Sequence, residues 1–429
     1  MNPLVVLIAG FFVLIAFRVN IGFALILSSI FVMLLEDLPL ASVANQMYSN
    51  IDSFPLLAVP FFMFLGRILN AGSITDRLLA VANAAVGHVR GGLGHVNVFV
   101  SMVFASLSGS AAADTASVGS ILIPAMKKAG YDPAFSVALT AASSTLGVII
   151  PPSIILIVYG AFGNVSIGAL FLGGVVPGIV IGLFMMAYTY VMAVRRGFPS
   201  SPFPGLMPLG RALGRGAAPL LIPVVVLGGV ISGFFTPTEA AISAVIWALV
   251  LSLIVYRDIP FRDMPRHLAN ATVEFSVPLF TVAGAGIFGW LMAYLGAAQI
   301  VVAFITQQTE NPFGIMLLLV GFLLLVGTVL NPISAVLIFL PIIQALGDLA
   351  GMHPVHMGVL ATIVLSVGLI TPPYGICLLI AAQIGDVPLG RAMLAVLPIV
   401  GLTVSVAVLS LWLPDLVLAF PKLVSPNLF

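Results

Sequence analysis

Apolar windows long enough to cross a bilayer follow one another from Asn2 to Leu413, and this succession constrains the chain more than any single motif. Lipid offers no water to pair backbone N–H and C=O groups, so only α-helices and closed barrels can span it. The runs are too long for barrel strands, which alternate over about 10 residues. The predicted fold is therefore an all-α polytopic membrane protein. Only 7% of the 429 residues are charged, against about 25% in a soluble domain. The longest polar connection, roughly Arg195 to Gly216, is too short for a soluble catalytic domain. An intramembrane enzyme would need clustered His, Asp or Glu at membrane depth, and the sequence offers no such cluster, so the chain is not expected to be an enzyme. A net charge of +1 argues against a nucleic-acid partner. Cys377 is the single cysteine, which excludes an internal disulfide. The N-terminal segment has no basic stretch and no small-residue cleavage site, and it reads as a retained first helix.

Two apolar segments are interrupted at a double proline: "GVIIPPSIIL", Gly147 to Leu156, and "GLITPPYGIC", Gly368 to Cys377. Each proline removes a backbone N–H and clashes with the carbonyl four residues back, so both helices should break there. The two pairs are related by an offset of 221 in numbering (372 − 151), which also links Pro133 to Pro354 and Pro177 to Pro398. "VPFF" at Val59 and "VPLF" at Val277 are 218 apart, and "LIPAM" at Leu122 and "FLPII" at Phe339 are 217 apart. A four-residue insertion near "GDLAGMHP" would explain the drift. The chain is thus expected to be written twice, 1–198 and 209–429, with 199–208 inside a basic cytoplasmic linker.

Charge predicts orientation. Arg195, Arg196, Arg211 and Arg215 mark the linker as cytoplasmic. In the first half, acidic Glu36 and Asp37 lie beyond the second helix; in the second half, the arginines of "RDIPFRDMPRH" occupy the matching place. The halves are therefore expected to point opposite ways, an inverted-topology repeat of the kind secondary transporters use. The expected layout has ten crossings, re-entrant hairpins at about 93–126 and 312–346, and broken helices at about 134–163 and 355–384. It puts 14 of the 15 Lys and Arg residues on the cytoplasmic side, all but Lys422, and both termini in the periplasm.

Pro151 and Pro152 should orphan the carbonyls of Gly147 and Val148, and Pro372 and Pro373 those of Gly368 and Leu369. Free carbonyls at membrane depth survive where they line a cavity or bind something, and a small hard cation such as Na⁺ takes oxygen ligands. Ser143, Ser144, Thr145, Ser366 and Thr371 supply hydroxyls beside the breaks. The alternative is a plain kink whose carbonyls nearby Ser or Thr satisfy. The hairpin tips, "SLSGSAAAD" and "GTVLNPIS", are small and polar, and a helix starting there suits an anion. Asn331-Pro332 reads as N-cap and first helical residue. Asp114, which the 217 offset pairs with Asn331, reads by analogy as an N-cap, with a substrate or ion contact as the other reading. No nucleotide-binding loop is present, so ATP is not expected as the energy source.

"GFFTPTEAAISAV", "SLSGSAAADTASVGSILIPAMKKAGYDP" and "LGVIIPPSIILIVYG" resemble the large membrane subunit of tripartite ATP-independent periplasmic (TRAP) transporters, and the resemblance covers essentially the whole chain. It implies an elevator-type importer of organic acids in the bacterial inner membrane, driven by two or more Na⁺ ions. It also implies a separate small four-helix membrane subunit and a periplasmic substrate-binding protein. With it, the candidate sodium-binding residues are Ser108, Gly109, Ser144, Gly147, Pro151, Gly327, Thr328, Ser366, Gly368, Thr371 and Pro372. The candidate substrate-binding residues are Ser110, Asp114, Ser143, Thr145, Pro152, Asn331, Ser334 and Pro373. A stand-alone Na⁺-coupled dicarboxylate symporter of similar repeat plan is the alternative.

Overall fold

The computed structural model describes residues 2–200, 202 and 205–426. Positions 201 and 203–204 of the expected linker, and 427–429 of the expected second repeat, lie outside the described residues. Among the described residues every regular element is helical.

Helix starts obey one local rule. A polar residue followed by proline opens six helices: Asn2-Pro3, Asp132-Pro133, Thr236-Pro237, Asn311-Pro312, Asn331-Pro332 and His353-Pro354. In each the side chain accepts an early N–H, for example Ala134 N–H onto Asp132 Oδ1 at 2.7 Å and Ile333 N–H onto Asn331 Oδ1 at 2.9 Å. Proline at the first position costs nothing, because its missing N–H would have had no helical partner. Where water is absent such caps replace solvent. Glu239, in the first turn of Pro237–Leu249, completes a reciprocal capping box with Thr236.

The helices fall into two series that end alike, in a hairpin, a broken helix and a long helix. The first series runs Pro3–Ala16, Ile21–Leu35, Ala41–Ile51, Ala58–Ala71 and Ile74–Val86. It continues with a hairpin, Gly92–Ser108 and Ala111–Lys128, then a broken helix, Pro133–Ser144 and Ile154–Gly163, and a long helix, Ile167–Arg196. The second series runs Leu206–Ile231, Pro237–Leu249, Met264–Tyr294 and Ala297–Gln308. Its hairpin is Pro312–Val329 and Pro332–Leu349, its broken helix Pro354–Gly368 and Ile376–Gly385, and its long helix Leu389–Trp412; Asp415–Val424 follows.

This correspondence corrects the offset expected from the prolines. The second hairpin arms, Ala111–Lys128 and Pro332–Leu349, match end to end at the offset of the double prolines, so no insertion separates them from the breaks. The 217 spacing arose because Pro124 and Pro341 lie at different depths in equivalent helices. Ser110, not Asp114, is therefore the counterpart of Asn331, and both are N-caps. The linker also differs. Leu206–Ile231 begins inside the stretch expected to be a polar loop. Pro208 falls in its first turn, where no helical N–H is lost, and Leu, Ala and Arg carry the helix onward.

Two bundles result. The hairpins, the broken helices and the two long helices pack together; the first four elements of the first series pack with Leu206–Ile231, Pro237–Leu249 and Met264–Tyr294. The second arm of each hairpin lies against the second segment of the opposite half's broken helix. Eight of the described helices are long and apolar enough to cross a membrane. Val5, Phe12, Phe23, Phe31 and Val224 stay exposed on the outer bundle, as lipid-facing side chains do. Ile74–Val86 is amphipathic. It buries Ile74, Leu78, Val81 and Ala82 against Leu206–Ile231 and the first hairpin.

A buried polar cluster ties the first hairpin to its broken helix. Asn97 Nδ2 donates to Thr140 Oγ1 at 2.6 Å, Asn97 Oδ1 accepts from Ser143 Oγ at 3.3 Å, and Ser101 and Ser143 hydroxyls meet at 2.9 Å. Asn97→Ala should lower unfolding free energy by about 1–3 kcal/mol, because fully buried partners are left unpaired. Ser120→Ala, on an exposed face with only a bond to its own helix, should leave it unchanged. Thermal unfolding of the purified variants in detergent measures both.

Candidate functional site

Each hairpin tip meets the break of its own half. Gly109, at φ +62°, ends the first arm, and a Cβ there would stand 3.0 Å from the Pro152 carbonyl oxygen. On the other side a Cβ on Gly147 would reach Asp114 Oδ2 at 2.5 Å and Ala111 N at 3.4 Å. In the second half a Cβ on Gly368 would collide with the Gly327 carbonyl. Tyr374 N–H donates to the Thr328 carbonyl at 2.8 Å. Only glycine allows backbone to approach backbone this closely. Both Pro-Pro bonds, Pro151-Pro152 and Pro372-Pro373, are cis.

The carbonyls at the breaks differ from expectation. Val148 accepts a bond from Ser153 Oγ, Leu369 accepts from Cys377 N–H at 2.9 Å, and Gly368 accepts from Thr371 N–H at 3.3 Å. Three of the four expected orphans are thus paired, by a cap hydroxyl and by turn N–H groups near the prolines. Among the described hydrogen bonds, none ends on the Gly147 carbonyl.

Asp114 is the second unsatisfied group at that junction. It is wholly buried in the first turn of Ala111–Lys128. Oδ1 accepts from Ser108 Oγ at 2.5 Å, and buried Oδ2 has no hydrogen-bond partner. The expectation that it caps the helix does not hold: Ser110 occupies the cap, accepting from Ala113 N–H at 3.5 Å. A cap side chain precedes the first helical residue and accepts an N–H two or three residues on, whereas Asp114 is the fourth residue of the helix and its Oδ2 lies against Gly147.

A cavity of about 180 Å³ lies between the two tips and the two breaks. Gly109, Ser110 and Asn331 line it, with Val148 and Leu369 from the breaks and Val59 and Pro278 from the outer bundle. Tyr374, Met63 and Ile154 are also in its wall. Of the candidate substrate residues, the structure therefore places Ser110 and Asn331 on this cavity. Asp114, Ser143, Thr145, Pro152, Ser334 and Pro373 do not line it. Ser143 turns into the Asn97 cluster, and Thr145 Oγ1 donates back to Ala142 O at 2.7 Å. Ser144, Thr328, Ser366 and Thr371 also donate to carbonyls of their own helices, leaving their oxygen lone pairs as acceptors. Pro151 and Pro372 lie at the breaks themselves. Tyr374, Val59 and Pro278 are not among the site residues expected from sequence. The similar stretches "VPFF" and "VPLF" contain two of them, Val59 and Pro278, and are the one sequence signal that points to either. Among the described residues no group of His, Cys, Asp and Glu could hold a transition metal.

Gly368→Ala should destabilise the fold by about 1–3 kcal/mol through overpacking against Gly327. Gly390→Ala, where a Cβ meets open space, should be neutral. Paired thermal unfolding curves decide between close approach and a mere preference for flexibility.

Known proteins resemble this chain in fold and in sequence. The structure is similar to the YdaH transporter of Alcanivorax borkumensis, with a TM-score of 0.64, 15% identity and coverage of 87% of this chain and 89% of that one. It is also similar to MtrF of Neisseria gonorrhoeae, with a TM-score of 0.57, 14% identity and coverage of 86% and 83%. At those identities the likeness is one of fold. In sequence, the chain is 35% identical over 405 residues to the sialic acid TRAP transporter large permease protein SiaM of Vibrio cholerae, covering 94% of this chain and 95% of that protein. It is 34% identical over 381 residues to the C4-dicarboxylate TRAP transporter large permease protein DctM of Pseudomonas aeruginosa, covering 89% of each. These relatives are transport permeases, not enzymes. The family described as tripartite ATP-independent periplasmic transporter, DctM component, matches residues 8–416, and the chain is a multi-pass membrane protein that belongs to it.

Proposed function

We propose that this chain is the large permease of a Na⁺-coupled importer of organic acids in the inner membrane, working with a small membrane subunit and a periplasmic binding protein. The observation that carries Na⁺ coupling is the junction of Asp114 and Gly147. A buried carboxylate oxygen without a donor is costly unless a cation or proton neutralises it. Gly147, whose carbonyl has no partner among the described hydrogen bonds, stands against Asp114 Oδ2; Ser108 adds a hydroxyl bonded to the same carboxylate, and Ser144 lies three residues before Gly147. Such an all-oxygen set suits a hard cation. The Gly327–Gly368 junction, with Thr328, Ser366 and Thr371, offers a second oxygen-rich place. Na⁺ bound at each junction would fix tip against break, and so shape the cavity that Ser110 and Asn331 line. The substrate class comes from the relatives, one named for sialic acid and one for C4-dicarboxylates.

Several finer points belong to the same reading. The two series, 1–198 and 209–429, are oppositely oriented repeats, with both termini periplasmic. The inner bundle moves across the membrane as an elevator against the outer one. The division of helices into two bundles supports this motion, since the cavity lies where they meet.

Asp114→Asn should abolish most Na⁺-induced thermal stabilisation of the purified chain while leaving its unfolding temperature in Na⁺-free buffer near or above wild type, because the amide no longer buries an uncompensated charge. Uptake in proteoliposomes that contain the chain, a small subunit and a binding protein should require a Na⁺ gradient and no ATP. Equal uptake in Na⁺-free buffer under a proton gradient, or full Na⁺ stabilisation of Asp114→Asn, would overturn the coupling.

A further inference from the structure

An anion entering the cavity between the tips meets almost no positive charge there, because the polar side chains in its wall, Ser110, Asn331 and Tyr374, are uncharged and it contains no Lys or Arg among the described residues. A second cavity of about 340 Å³ adjoins it, sharing Met63 and Ser110. This one runs from the first tip along the small-residue face of Ala111–Lys128, past Ala113, Ala116 and Ser117. Its opposite wall is the outer bundle: Gly66, Arg67 and Asn70 from Ala58–Ala71, and His267 and Glu274 from Met264–Tyr294. Met63, Gly66, Arg67 and Asn70 fall at helical spacing, so one face of one helix serves both cavities.

Arg67 Nε donates to Glu274 Oε2 at 3.0 Å, and a terminal nitrogen of the same guanidinium pairs with Oε1. The pair is bidentate, joins distant parts of the chain, and keeps 29% and 48% of its side-chain surface exposed. One turn on, Asn70 Oδ1 is buried with no hydrogen-bond partner in the same wall. A half-exposed pair contributes little to stability. Its geometry, however, is the one a guanidinium offers to any carboxylate. Glu274 thus fills a place that a ligand carboxylate can take at small cost, and the unpaired Asn70 oxygen stands ready for a neighbouring polar group of that ligand.

We propose that Arg67 is a carboxylate-binding residue for the transported organic acid, held between turnovers by Glu274, with Asn70 beside it as a second polar contact. The proposal rests on the organic-acid reading above. It places the acid's charged end in the second, larger cavity and the rest of the molecule toward the tips. Arg67 then sets selectivity for acids over neutral compounds, and Glu274 competes with substrate so that release follows recapture of Arg67.

The test uses the full chain purified in detergent with NaCl present, and thermal unfolding as readout. Succinate and N-acetylneuraminate are the probes, with dimethyl succinate as the uncharged counterpart. Wild type should be stabilised by at least one acid and not by the diester. Arg67→Gln should lose the acid response and keep the Na⁺ response, and Arg67→Lys should restore part of it. Glu274→Gln should respond at an acid concentration about tenfold lower, as removal of one competing charge-assisted contact implies. A purely structural pair predicts that Arg67→Gln and Glu274→Gln lose stability alike and respond to acid alike, and that result overturns the proposal. So does an Arg67→Gln response equal to wild type, or no response of wild type to either acid. A missing Na⁺ response would instead bring down the coupling reading.

Discussion

A helix that stops inside an apolar medium leaves backbone groups that must find partners, and the architecture around the two breaks follows from that requirement. The chain meets it locally where it can. Ser153 closes on the Val148 carbonyl, and Cys377 N–H reaches back over the proline pair to Leu369. The remainder is met across space, by pressing a hairpin tip against each break, as when Tyr374 N–H donates to Thr328. A Cβ would meet Asp114 Oδ2 at the first junction and the Gly327 carbonyl at the second, so glycine occupies both equivalent places, Gly147 and Gly368. The crossed packing of each second hairpin arm on the other half's broken helix then locks the two junctions into one unit.

The two junctions are equivalent in backbone and unequal in charge. At the offset that relates the double prolines, the counterpart of Asp114 is Ala335. The first junction therefore holds a buried carboxylate and an unpaired carbonyl, the second only backbone and hydroxyl oxygens. On the proposed function this asymmetry has a direct consequence. A cation at the first junction neutralises a charge already present and is bound more strongly, whereas one at the second adds a net charge to the cavity and is favoured when an anion arrives. Coupling between ion and organic acid then resides mainly in the second site.

The double prolines, the small polar tips and Asn331-Pro332 are all legible in the sequence, because each is a local signal: a lost N–H, a missing Cβ, a cap. The polar-residue-then-proline rule is legible at five further helices for the same reason. Other features are not local. Asp114 looks like a cap when its mate is chosen by proline spacing, and proline depth inside a helix is not a fixed landmark. The start of Leu206–Ile231 is hidden because arginines that read as a loop also suit a helix. The pairing of Arg67 with Glu274 depends on two outer helices meeting at one depth, which neither residue's neighbours reveal.

Cavity size links these points. Enclosed sites for drug-sized ligands usually measure about 300–1,000 Å³, and the space between the tips is about 180 Å³. A sugar acid of sialic-acid size cannot be held there alone. The adjoining cavity, about 340 Å³, shares Met63 and Ser110 with it, and the two together reach the usual range. A substrate that occupies both must lie partly against the hairpin and partly against the outer bundle. Its apolar portion then meets Val59, Ile154 and Leu369, and its charge meets the one arginine that lines either space among the described residues. Any displacement of the inner bundle along the outer one would separate those two sets of contacts. On the proposed elevator motion, binding is therefore complete in one position of the bundle and partial in another, so the same geometry that captures the acid also provides for its release.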